Sequence, residues 1–105
     1  MEEVLVLYTT HPDRECARKI TKILLEDRLV ACGNIYPIES HYWWDDEVVH
    51  SEEYVVIYKT RHSLIDKIES VFNDHHPYDV PCIVRYKADA NMDYKQWVIQ
   101  ETKRL

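Results

Sequence analysis

The sequence predicts one α+β domain, residues 1–105, with elements in the order β-α-β-β-α-β and a further helix at the end. Three observations predict it. Short apolar and β-branched runs alternate with stretches whose apolar residues recur every three or four positions. Two long extended runs flank Asp45-Asp46, and Asp tolerates the left-handed backbone of a tight turn. Pro12 and Pro77 fall where a helix starts and where another stops.

Taken in order, residues 4–8 read as a buried strand. Asp13 and Glu15 complement the positive end of a helix that begins near Pro12. Ala17, Ile20, Ile23 and Leu24 form its apolar face, and the helix is expected to run to about Arg28. Residues 30–44 and 48–60 are rich in β-branched and aromatic types and read as the two arms of a hairpin. Pro37 cannot donate to a ladder, so the first arm bends there or lies at an edge. Both arms exceed the usual strand of about 5–6 residues. They overhang a small sheet and expose apolar groups unless another surface covers them.

Ser63 and Asp66 resemble a capping pair before a helix carrying Ile65, Ile68, Val71 and Phe72, which Pro77 stops near His75. Residues 82–88 read as the last strand. Asn91 is the expected cap of a final helix with Tyr94, Trp97 and Val98 on one face. The first six elements match the split βαβ, or ferredoxin-like, arrangement: a four-stranded antiparallel sheet with two helices on one side. The other side of the sheet needs a cover, and a second subunit is the simplest one.

Composition narrows the function. With 46% apolar and 11% aromatic residues the chain is too apolar to be disordered. No apolar run approaches the ~20 residues of a membrane helix. The start is acidic and lacks a signal peptide's basic region, so the expected compartment is the cytoplasm. The net charge is −6 and no basic run exists, which argues against nucleic acid. Gly33 is the single glycine, so neither a Walker loop nor a dinucleotide fingerprint fits. Cys16, Cys32 and Cys82 are widely spaced and form no C-x-x-C pair, and each reads as a small buried hydrophobe.

Several residues could carry chemistry. In His75-His76-Pro77-Tyr78-Asp79-Val80-Pro81, two prolines pin an extended connection that presents His76 and Tyr78. His75 and His76 share a metal only if the helix has already ended, because adjacent helical side chains diverge. In Ser40-His41-Tyr42-Trp43-Trp44, alternation sets His41 and Trp43 against Tyr42 and Trp44, a density of aromatics suited to an interface or a ligand platform. Lys59 lies in an apolar strand with Glu53 six residues earlier on the same side. No serine stands on a glycine-flanked elbow. Cys16, in the first turns of a helix, is the best placed of the three thiols for Cys-His chemistry, yet packing remains its stronger reading.

An ordered set of residues spans nearly the whole chain: Leu29-Val30-Ala31-Cys32-Gly33-Asn34-Ile35, Ser40-His41-Tyr42-Trp43-Trp44, Glu53, Lys59-Thr60, His76-Pro77-Tyr78 with Pro81, and Tyr94 with Trp97. The set resembles the CutA divalent-cation-tolerance family. The resemblance implies a ferredoxin-like subunit in a tight homotrimer whose long hairpins pair across subunits, an architecture similar to trimeric nitrogen-regulatory proteins. It also implies association with copper and other divalent cations. Its copper ligands would be His75, His76 and a cysteine at the end of the first strand. Here that cysteine position is Tyr8, and a neutral phenol is a poor substitute for a thiolate. Asp46 stands where the family's hairpin turn usually has glycine.

The combined expectation is a homotrimeric binding protein and not an enzyme. A pocket near each subunit boundary would use Lys59, His76, Tyr78, Trp43 and Tyr94, with His75 and His76 as metal ligands. It would take a divalent metal, weakly and Cu(II) above Mg(II), or a small anion, and would need no cofactor to fold. The alternative is a signalling or scaffold trimer with no metal role.

Overall fold

The computed structural model describes residues 3–102; residues 1–2 and 103–105, which the single-domain reading includes, lie outside the described residues. The elements are β1 (Val4–His11), α1 (Arg14–Glu26), β2 (Cys32–Trp44), β3 (Glu47–Thr60), α2 (Ile65–His75), β4 (Ile83–Ala88) and α3 (Met92–Glu101), with a 3-10 turn at His62–Leu64. The four strands form one antiparallel sheet in the order β2-β3-β1-β4. This is the split βαβ arrangement expected from the element order.

The core lies between the sheet and the two long helices. Leu5, Leu7, Val56 and Tyr58 meet Ala17, Ile20 and Leu24 of α1 and Leu64, Ile68 and Phe72 of α2. Gly33 is required there. Its strand partner is Tyr58, and a Cβ at Gly33 would stand 2.9 Å from the Tyr58 ring. Tyr58 is fully buried, and its hydroxyl shares a 2.7 Å hydrogen bond with Thr21 that ties α1 to the sheet.

Several boundaries differ from expectation for local reasons. Strand β1 runs to His11, because Thr9, Thr10 and His11 keep pairing with β3 opposite Val56, Val55 and Tyr54. Helix α1 ends at Glu26, two residues short of the expected Arg28. There the Arg28 and Leu29 amides bond back to the Leu25 and Leu24 carbonyls, with Arg28 in the left-handed region at φ 58. This double return bond stops a helix decisively. Ser63 lies in the 3-10 turn, and Leu64 takes the cap position of α2 without a side-chain bond of its own. Asn91 does take the cap position of α3, likewise without a side-chain bond.

The hairpin outruns the sheet. β1 pairs β3 only as far as His11 opposite Tyr54, whereas β2 and β3 stay paired to Trp44 opposite Glu47. Residues 38–53 therefore project as a two-stranded arm, and the chain is 44 Å long but only 26 by 20 Å across. Asp45 and Asp46, at φ 53 and 63, form the two-residue turn that matches strand twist. β2 is an edge strand, which accommodates Pro37.

The second face of the sheet is only partly covered. Helix α3 seats Val98 against Val4 and Val6, with Ile57, Ala88 and Tyr94 beside them. Further along the same face Tyr36, Val84 and Tyr86 stay exposed, and Trp43 and Trp44 at the arm's tip are 74% and 51% exposed. Trp97 of α3, expected on the face of Val98, is 39% exposed and stands 5.6 Å from the Tyr94 ring.

Candidate functional site

Among the described residues, a buried group of chemically capable side chains lies where β1 ends, α1 begins and α2 stops. His76 leaves α2 with extended backbone ahead of Pro77, and its ring turns inward. Its Nε2–H donates to the Thr10 carbonyl at 2.8 Å, and its Nδ1 accepts the Tyr78 amide at 3.2 Å. The ring stacks on Phe72 at 5.6 Å between centroids and meets the His11 ring at 5.0 Å. Burial pushes its pKa down, only partly opposed by the Thr10 carbonyl and the Glu53 carboxylate.

His11 is fully buried, and its tautomer follows from its neighbours. The Thr9 hydroxyl donates its proton to the Val56 carbonyl at 2.9 Å, so it can only accept from His11 Nε2, also at 2.9 Å. Nε2 therefore carries the proton, and the Nδ1 lone pair faces Cys16 Sγ at 3.6 Å. Burial, then the neighbouring His76, lowers the His11 pKa to about 4, so the ring is neutral at pH 7. Cys16 stands in the first turn of α1, where Asp13 caps the Cys16 amide at 2.7 Å. Burial and the Asp13 carboxylate push the Cys16 thiol up. The pair is thus a thiol donating to a neutral imidazole. One ligand atom from each of His11, Cys16 and His76 lies within 4.8 Å of the other two.

Behind His76, the Tyr78 hydroxyl donates to Glu53 Oε2 at 2.6 Å, satisfying a carboxylate that is almost wholly buried. Burial and that carboxylate push the Tyr78 phenol up. Tyr78 also lines a cleft of about 310 Å³ with Tyr42, Trp44, Pro77, Asp79 and Val80.

Within the chain, the residues expected at one subunit-boundary pocket are spread along the sheet. His76 and Tyr78 are together, with ring centroids 4.8 Å apart. The Lys59 ammonium is engaged by the Asn34 side-chain oxygen, and Lys59 is the strand partner of Cys32. Tyr94 meets Cys32 Sγ at 3.5 Å and so belongs to that end of the sheet. Trp43 stands at the opposite end, on the tip of the arm. At ~3.3 Å per strand residue the six positions from Glu53 to Lys59 span about 20 Å, too far for a shared contact.

Of the metal set implied by resemblance, His76 is buried and His75 is exposed. Tyr8 lies on the face of β1 opposite His11, and burial, Tyr36, Cys82 and Glu53 push its phenol up. His75 is exposed, and with Asp13, Cys16 and Lys19 it lines a groove of about 330 Å³ beside the buried histidines. His11 was not legible as a site residue; its one signal is its place just before Pro12-Asp13, five residues ahead of Cys16. A second donor group was missed on the arm. His41 and His50, directly opposed across the hairpin, stack at 4.2 Å, and both approach Glu39 Oε2, at 2.9 and 3.9 Å.

Comparison with known proteins places this architecture. Residues 5–101 match the family described as CutA1 divalent ion tolerance protein. The chain belongs to that family. Among its relatives, the divalent-cation tolerance protein CutA of Pyrococcus horikoshii is 41% identical over 102 residues, covering 96% of this chain and 100% of the relative. The protein of the same name from Thermus thermophilus is 40% identical over 104 residues, covering 97% of this chain and 99% of its own. The crystal structure of CutA1 from Oryza sativa superposes with a TM-score of 0.94 at 33% identity, covering 99% of this chain and 97% of that one. The CutA1 architecture is therefore the one described above, a four-stranded antiparallel sheet with three helices.

Proposed function

We propose that this chain is a homotrimeric binding protein, not an enzyme, that takes up a divalent cation and so contributes to metal tolerance. The observation that supports cation binding most strongly is the gathering of imidazole and thiol donors around Pro77, where His11, Cys16 and His76 meet and His75 stands at the surface. Imidazole ligands suit Cu(II), Zn(II) and Ni(II) far better than Mg(II). A small anion is the weaker reading, since the Lys59 ammonium is already engaged by Asn34 and the buried carboxylate of Glu53 stands behind His76. The relatives are named for divalent-cation tolerance, which favours a metal role over a purely signalling or scaffold trimer.

Self-association is supported by the exposed Tyr36, Val84 and Tyr86 on the sheet and by the projecting arm with its two exposed tryptophans. Three free thiols fit the reducing cytoplasm. Calorimetric titration with Cu(II) at pH 7.5 tests the cation reading. Wild type takes up Cu(II) and not Mg(II), and a His75→Ala/His76→Ala variant binds more weakly. Equal binding by both proteins places the ion away from Pro77, and no binding by either refutes the reading.

A further inference from the structure

We propose that His11 Nδ1 and Cys16 Sγ are the two primary ligands of a thiolate–imidazole metal site for a borderline ion such as Zn(II), with His76 as the third ligand. The inference rests on the cation-binding reading and deepens it, because it moves the ion from the exposed histidine to the buried junction of β1 and α1.

The geometry of the pair carries the argument. A tetrahedral ion with a nitrogen at about 2.0–2.1 Å and a sulfur at about 2.3 Å holds those two atoms about 3.6 Å apart. His11 Nδ1 and Cys16 Sγ stand 3.6 Å apart. The Nδ1 lone pair already points at the sulfur, because Thr9 fixes the proton on Nε2 and Val56 fixes Thr9. Such an outer partner on the far nitrogen is how metal-binding histidines are oriented. The thiol proton now occupies the place of the ion. On binding, that proton leaves to water and the thiolate bonds to the metal.

His76 brings a ring nitrogen within 4.8 Å of both other donor atoms. Each of its nitrogens holds one hydrogen bond, to the Thr10 carbonyl or from the Tyr78 amide, and one of these is exchanged for the metal. The fourth position opens to the groove that Cys16 lines with Asp13, Lys19 and His75, which gives the ion an entry path and room for water. The thiolate thereby comes from α1, whereas Tyr8 on the other face of β1 contributes nothing.

Co(II) is the probe, because a cobalt–thiolate bond gives a near-ultraviolet charge-transfer band and a tetrahedral site gives strong visible bands. Reduced full-length protein titrated with Co(II) is expected to show both, and Zn(II) to abolish them. Cys16→Ser loses the charge-transfer band, whereas Cys32→Ser/Cys82→Ser and His75→Ala keep it. Thr9→Val, which leaves every ligand in place, weakens Co(II) binding about 10–100-fold. A band that survives Cys16→Ser overturns the inference. So does Co(II) uptake with no charge-transfer band that is abolished by His75→Ala, which leaves the cation-binding reading intact. Failure of wild type to take up Co(II), Zn(II) or Cu(II) overturns both.

Discussion

The Tyr78 hydroxyl donates a 2.6 Å hydrogen bond to Glu53, joining the segment after α2 to the root of the projecting arm. The carboxylate is almost wholly buried, so its partner matters. Tyr78→Phe is expected to lower stability by about 1–3 kcal/mol, the usual cost of an unsatisfied buried acceptor. Glu53→Gln keeps a carbonyl acceptor and loses less. Urea denaturation of the three proteins checks the order.

The arm's turn is held in the left-handed region by two aspartates. That conformation costs an L-residue about 1–2 kcal/mol, less for Asp, and glycine almost nothing. Asp46→Gly is expected to raise stability by about 0.5–1 kcal/mol without changing the spectrum of the sheet. A neutral or negative effect in the same denaturation assay contradicts the assigned turn.

Gly33 has the opposite requirement. A methyl group there would meet the Tyr58 ring at 2.9 Å and Val56 at 3.2 Å, both in the core. Gly33→Ala is expected to cost about 1–3 kcal/mol, as overpacking does. Tyr58→Phe costs about 1 kcal/mol by losing the Thr21 bond.

Acid should weaken the metal-free protein through His11. Its folded pKa is about 4 against an ordinary 6.5, because burial and then His76 oppose the charged ring. The unfolded chain therefore binds the extra proton first. The contribution is complete above about pH 6.5 and is lost as pH falls toward 4, on the order of 3 kcal/mol in all. His76, lowered by burial, acts in the same direction. Denaturation in EDTA across this range checks it: wild type loses stability, and His11→Gln shows a shallower slope.

The exposed aromatic surface supports self-association, and the proposed assembly is a homotrimer. Sedimentation equilibrium at micromolar concentration is expected to give about three times the 12.7 kDa chain mass. Trp43→Ala or Trp44→Ala weakens the assembly by about 2 kcal/mol where the ring is an interface hot spot. A monomeric wild type rules the assembly out.

The element order and the sheet were legible because periodicity and breakers act locally. Ile20, Leu24, Ile68 and Phe72 show helical spacing, and Asp45-Asp46 marks the turn. The site was less legible because it depends on where β1 ends. A strand stopping at Tyr8 leaves His11 in a loop, whereas one that runs to His11 turns Thr9 and His11 inward, against α2. Only the strand-to-helix turn then brings His11 against Cys16. The five residues expected at one pocket lie apart within this chain for a related reason. Lys59 and Trp43 are both hairpin residues, but the length of the arms separates them.

The central claim is that a divalent ion is held at the junction of β1, α1 and the end of α2. An anomalous difference map from crystals of the whole chain grown with Zn(II), recorded at the zinc absorption edge, tests it most directly. The account predicts a peak bonded to His11 Nδ1 and Cys16 Sγ, with His76 as the next protein ligand. Zinc found only at Glu39, His41 and His50 on the arm, or nowhere, would contradict it.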